Sequence, residues 1–196
     1  MRTIIAFDDH INNNNKYLFQ NCSDNARQIS VERHITHTLV DSSKLNKDDV
    51  YNIVQEQGEE DFLFAAFSHG GENTLVCTDI EEPYISCEIN SNIFQGKIVY
   101  TYACCAGKRL GSALINNGAK AFIGYTEEVW TSLRSPEAFA DCATYGINAI
   151  LDGRNLNECI EEMKRKYTRE YDNILASDPL GAGYLLESRE ALVLLV

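Results

Sequence analysis

Three short stretches of the 196-residue sequence hold side chains that could do chemistry together: Asp8-Asp9-His10, Ser68-His69-Gly70-Gly71 and Ala103-Cys104-Cys105. A cysteine attacks a carbonyl carbon as its thiolate. It therefore needs an imidazole beside it to take the thiol proton and later hand it to the leaving amine. His69 and one of the pair Cys104 and Cys105 are the groups of that kind. The oxyanion formed in such an attack needs backbone donors. Gly70, lacking a Cβ, lets the chain turn its amide toward a developing negative oxygen, and the amide of the nucleophile itself can be a second donor. A helix entered by Ala106-Gly107-Lys108 would add positive potential at its first turn and lower the thiol pKa. Taken singly, each residue has a plainer reading: a cysteine after an apolar run is most often a small buried hydrophobe, and His-Gly-Gly is a turn.

What joins these stretches is their placement after strand-like runs. Short segments rich in apolar or β-branched residues cover Thr3 to Phe7, Val31 to Val40, Phe62 to Phe67, Lys97 to Ala103, Ala119 to Tyr125 and Ala191 to Val196. Helical patterns lie between them. Asp41-Ser42-Ser43 precedes a helix from about Asn46 to Gln57 that stops at Gly58; Ser135-Pro136-Glu137 opens one to about Leu151; Asn155 caps another to about Leu175. Residues 71 to 96 read as a hairpin-like insertion, and Asn12 to Asn15 as a solvated loop or a helix entrance. Strands alternating with helices predict an α/β fold with a doubly wound, mostly parallel six-stranded sheet, one domain over residues 1–196. In such a sheet the three stretches gather over one edge, where ligands bind. Neighbours along a strand point to opposite faces, so only one of Cys104 and Cys105 is expected to meet His69.

Composition narrows the partners. With 17 Lys+Arg against 29 Asp+Glu the formal charge is −12, which argues against a nucleic-acid surface. No apolar run is long enough for a membrane span, and Ile4 to Phe7 is too short for a leader, so a cytoplasmic protein off the membrane is expected. Seven cysteines without regular spacing read as reduced thiols, and neither they nor the four histidines have zinc-ligand spacing; no metal or cofactor is expected.

The segment Asp61 to Glu72, DFLFAAFSHGGE, resembles the strand and His-Gly turn of caspases, and Gly96 to Gly107, GKIVYTYACCAG, the strand that delivers their nucleophile. Residues 101 to 130 resemble the segment of CHAT and metacaspase-type peptidases in which Cys-x-x-Gly opens a helix, and the tail Leu186 to Val196 resembles their last strand. The resemblance implies a caspase-like three-layer αβα sandwich and a cysteine endopeptidase with a Cys/His dyad. His69 would be the general acid/base, Cys104 the nucleophile, and the amides of Gly70 and Cys104 the oxyanion hole. Cys105 is the rival nucleophile. The glycine three residues on, Gly107, fits the CHAT and metacaspase pattern for Cys104, the caspase spacing of two fits Cys105, and Ala103 favours Cys104. Tyr102 departs from the Gln or Asp that these families carry two residues before the nucleophile. No Asp-rich linker suggests maturation by cleavage.

In this clan the loop after the first strand shapes the pocket for the residue before the cut bond, so Asp8 or Asp9 is expected at its floor, selecting Arg or Lys. Glu127, Glu128 and Asp141 are less favoured carriers of that role. The expected partners are a protein or peptide substrate and an activating protein or ligand. Two alternatives stand beside the peptidase: a catalytically silent binding or signalling module of the same fold, and a receiver-like phosphorelay domain. For the latter Ile4 to His10 supplies an acidic pair, but the third strand ends Phe67-Ser68-His69 where a phosphoacceptor Asp should stand.

Overall fold

The computed structural model describes residues 1–196. The chain runs through β1 (Arg2–Phe7), α1 (Lys16–Glu32), β2 (His37–Val40), α2 (Lys47–Glu56) and β3 (Phe62–Phe67), then makes a small antiparallel excursion, β4 (His69–Gly70), β5 (Thr74–Val76) and β6 (Ile85–Ser86). After a 3-10 turn at Ser91–Phe94 come β7 (Ile98–Tyr102), α3 (Arg109–Asn116), β8 (Ala121–Tyr125), α4 (Pro136–Leu151), α5 (Leu156–Ile174), α6 (Pro179–Ala191) and β9 (Leu192–Leu195). Six strands form the main sheet in the order β2-β1-β3-β7-β8-β9, parallel except for β9, which lies antiparallel on β8.

Alternation along buried strands gives the sheet two apolar faces. Ile5, Phe7, Leu63, Phe67, Tyr100 and Ile123 face one core with α1, α4, α5 and α6. Ile4, Ala6, Phe64, Ala66, Val99 and Phe122 face the other, covered by α2, α3 and the 3-10 turn. The result is a three-layer α/β sandwich. No helix is long and apolar enough to cross a membrane.

Register places the chemistry. Phe7 pairs with Phe67, and Phe67 with Tyr102, so β1, β3 and β7 end level and release their following residues at the same height. Chain order reverses direction across the sheet between β1 and β3, the point at which loops part to opposite faces and leave a crevice.

Several sequence expectations shift. The strand expected over Val31 to Val40 begins only at His37, because Val31 belongs to the last turn of α1. The Asn12 to Asn15 tract is indeed a helix entrance. The cap of α2 is Asn46, whose side chain accepts from the amides of Asp48 and Asp49, while Asp41 closes its own turn onto Ser43. Helix α6 was not foreseen. Pro179 sits in its first turn, and the Asp178 carboxylate accepts from the amide of Gly181. The insertion at 71 to 96 is a β-ribbon as expected, since β5 pairs antiparallel with both β4 and β6.

Candidate active site

His69 opens β4 directly after β3, with its ring edge-on to Phe19 of α1 at a centroid distance of 5.4 Å. Its Nε2 lies 2.9 Å from Asn13 Oδ1. The orientation of the Asn13 amide is fixed twice over: Nδ2 donates to the Asp8 carbonyl at 2.8 Å, and Oδ1 also accepts from the Asn15 amide at 2.8 Å. Oδ1 can only accept, so the histidine Nε2 carries the proton. In the neutral ring this leaves the lone pair on Nδ1, the state a general base requires. Asn13 is thus a positioning residue that sequence reasoning passed over inside a run of asparagines.

Gly70 brings the histidine turn against the cysteine segment. A Cβ there would stand 2.9 Å from Ala103 Cβ and 3.1 Å from the Cys104 carbonyl oxygen, closer than side chains pack, so only glycine permits this approach. The two segments are also joined by main chain. The Glu72 carbonyl accepts from the amides of Arg109 at 3.2 Å and Leu110 at 2.7 Å, and the turn past Cys104 is pinned by Cys105 N–H to Glu127 O at 3.0 Å and Gly107 N–H to Tyr125 O at 2.8 Å. The amide of Cys104 donates to no backbone carbonyl, so it is free to take an acceptor such as the oxyanion the sequence reading assigned to it.

His69, Gly70, Cys104 and Cys105 line one cavity of about 690 Å³, with Glu72 and Glu128 in its wall and Trp130 and Leu133 at its edge. Trp130 stacks on Tyr184 of α6 at 6.1 Å, so the unforeseen helix buttresses the wall. A hollow of about 610 Å³ adjoins it, sharing Glu72, Cys105, Glu128 and Trp130 and adding Glu127, Glu187 and Lys108.

In this state the thiol is held. Val129 donates its amide to Cys104 Sγ at 3.4 Å, and the sulfur lies 3.9 Å from the Val129 carbonyl. Burial pushes the Cys104 thiol pKa up, the nearby Glu128 charge adds to this, and only the backbone contacts oppose it. The expected lowering by a helix N-terminus does not occur. Helix α3 starts at Arg109, five residues past Cys104, and its first amides are already given to the Glu72 carbonyl. The Cys105 thiol is also raised by burial, with Lys108 pulling the other way. Both cysteines line the cavity from the turn past the end of β7, where strand alternation no longer applies, and Cys105 there takes a left-handed φ of +57°.

Asp8 and Asp9 are not brought to this cavity. Asp8 is fully buried. Its Oδ1 accepts from the His10 amide and Cys77 Sγ, and its Oδ2 from the amide and hydroxyl of Thr78 at 2.9 and 2.7 Å, so it clamps the end of β1 to the ribbon. Asp9 Oδ1 accepts from the amide and hydroxyl of Ser42 at 3.1 and 2.6 Å, fastening β1 to the loop before α2. Neither carboxylate lines the cavity that His69 and Cys104 share. Asp141 is on α4, paired with Lys166 at 3.2 Å beside a separate polar cavity. Glu128, in the wall itself, and Glu127, in the adjoining hollow, are the acidic candidates that remain from the sequence, and Glu72 joins them. Tyr102 packs edge-on to Tyr125 at 5.4 Å in the core beneath α4 and α5, away from the cavity.

No family model and no curated protein matches the chain. Among solved structures, a structural-genomics protein from Geobacter sulfurreducens aligns with 78% of this chain and 63% of its own length, at 14% identity and a TM-score of 0.39. At that distance the likeness carries no argument about chemistry.

Proposed function

We propose that the chain is a cysteine endopeptidase of the caspase-like kind, with Cys104 as nucleophile and His69 as general acid/base. The observation that carries this reading is the convergence of a histidine of fixed tautomer, a close-packed Gly70 and Cys104 on one cavity at the level ends of adjacent parallel strands. In the reaction, the basic Nδ1 of His69 takes the thiol proton once Cys104 leaves Val129. The thiolate attacks the scissile carbonyl, the free Cys104 amide receives the oxyanion, and the imidazolium protonates the leaving amine. Water then hydrolyses the thioester with His69 again as base.

Glu128 in the cavity wall and Glu187 in the adjoining hollow, beside Glu72 and Glu127 that already pair with Lys108, support cleavage after Arg or Lys. Reporter peptides carrying Arg, Lys, Asp or Asn before the leaving group test both points. Cleavage after Arg or Lys, lost in Cys104→Ala and His69→Ala and kept in Cys105→Ala, is expected. A clear Asp preference would overturn the basic specificity, and full activity in Cys104→Ala would remove the dyad.

The second reading is a silent binding module, and the grip of Val129 on a thiol kept protonated by burial favours it for the isolated chain. The two readings join if a partner or ligand shifts residues 126–135 and frees the sulfur. Peptidase activity appearing only with such an activator is the expected behaviour; full activity of the purified chain alone would exclude that form of control. Nothing favours a phosphorelay, since the Asp8 carboxylate is occupied by four donors and β3 ends in Ser68-His69.

A further inference from the structure

The peptidase reading uses Cys104 and leaves its neighbour without a task. Cys105 is nevertheless the more open of the two: it lines both the cavity and the adjoining hollow, where Lys108 stands, while the Cys104 sulfur is tied to Val129. Both residues sit in the turn past β7, Cys105 with a left-handed φ, and both line one cavity. None of the other five cysteines lines either space: Cys22, Cys77, Cys142 and Cys159 are buried and Cys87 is half-buried elsewhere. A bond between adjacent residues closes the shortest loop two cysteines can form, so little chain entropy opposes it. The tight ring such a bond makes leaves it easily reduced.

We propose that Cys104 and Cys105 form a reversible vicinal disulfide when the chain meets a hydroperoxide, masking the nucleophile while the oxidant lasts. The Cys105 thiolate attacks the terminal peroxide oxygen; the O–O bond breaks, hydroxide leaves and a sulfenic acid forms. The Cys104 thiolate then attacks that sulfur and expels a second hydroxide. The two thiol protons convert both hydroxides to water, so one hydrogen peroxide and two thiols give one disulfide and two waters, the sulfurs losing two electrons to the peroxide. A dithiol reductant reverses the change. Only the effect on catalysis rests on Cys104 being the nucleophile; the bond itself does not.

Tryptic cleavage after Lys97 and Lys108 yields a peptide, Ile98–Lys108, that carries both cysteines and no other. The full chain is exposed to hydrogen peroxide, its remaining thiols are alkylated, and this peptide is weighed. The expected product is unalkylated and lighter by two hydrogens, and dithiothreitol returns it to a form that takes two alkyl groups. Two alkylated cysteines after an exposure that oxidises a small-molecule thiol, separate sulfinic acids, or a bond to another cysteine or a second chain would each overturn the proposal. In Cys105→Ser, Cys104 should pass to sulfinic acid, so that labelling by a peptidyl electrophile recovers at least about tenfold less after dithiothreitol than in the parent chain. Equal recovery would overturn the protective role. The mass of the peptide decides the bond even if no peptide is ever cleaved.

Discussion

The same rim of the sheet treats its polar residues in two ways. At the end of β1, Asp8 gives both carboxylate oxygens to four donors and has no solvent exposure. At the ends of β3 and β7, His69 and Cys104 are each held by one neighbouring residue and open onto a cavity. Both places looked alike as strings of titratable residues after apolar runs. What separates them is spare capacity: a buried group with every lone pair taken holds loops together, and one with a replaceable partner can exchange it for substrate.

The sharpest way to break this contrast is to remove one residue from each place. His69→Ala should lower the cleavage rate by about a thousandfold or more while costing under about 1 kcal/mol of stability. Asp8→Ala should do the reverse, costing about 3 kcal/mol in denaturant unfolding because it removes the buried acceptor that joins the end of β1 to Thr78 and Cys77, with peptide preference unchanged among the molecules that fold. Asp9→Ala, with one loop to hold, should cost about 1 kcal/mol. Similar losses of stability at His69 and Asp8 would erase the distinction.

Asn13 connects the two places, and Asn13→Ala should reduce kcat by about a hundredfold with KM little changed. Because the ring tautomer is no longer fixed, the pH–rate profile should change shape as well, which loss of packing alone would not produce. A smaller effect is expected from the held thiol. Its pKa lies above the ordinary value, so the thiolate is scarce at neutral pH and grows as pH rises. Alkylation of Cys104 in the resting chain should therefore be slower than that of an unhindered cysteine at neutral pH. It should rise about tenfold per pH unit and continue rising where the free thiol has levelled off. The smallest change belongs to the wall: Glu128→Gln should narrow the preference for Arg or Lys over neutral residues by about threefold, read from kcat/KM ratios.

Much of the frame could be read from sequence because burial on both faces writes itself as continuous apolar runs. The runs Thr3 to Phe7, Phe62 to Phe67 and Ala119 to Tyr125 are the strands Arg2–Phe7, Phe62–Phe67 and Ala121–Tyr125, within a residue or two of their expected limits. Ser135-Pro136 and Asn155 marked two helix starts: Pro136 stands in the first turn of α4, where Ser135 makes no side-chain cap, and Asn155 accepts from the Asn157 amide at the start of α5. Helix α1 escaped because its polar residues, among them Asn21, Asp24, Asn25 and Gln28, dilute a buried face of Leu18, Phe19, Cys22 and Ala26 that has helical spacing. Helix α6 was missed although Asp178-Pro179 repeats the polar-residue–proline signal that found α4. At the site, His69, Gly70 and Cys104 were legible as a motif. The acidic pair was misplaced because hydrogen-bond saturation is a property of loops brought from residues 42 and 78, which spacing along β1 cannot reveal. The left-handed turn at Cys105 was equally hidden, since a cysteine gives no sign of a conformation that usually belongs to glycine.

The joint between the Glu72 carbonyl and the first amides of α3 has a mechanical meaning. The turn that follows the histidine and the helix that follows the cysteine share one backbone rivet, so their thermal displacements are correlated. Residues 126–135 reach the thiol by a second route, through the Cys105 N–H bond to the Glu127 carbonyl and the Val129 amide on the sulfur, so the cysteine turn stands between two anchors. Proton transfer depends steeply on distance, so on the peptidase reading the Glu72 joint is what would hold the two reacting groups in register.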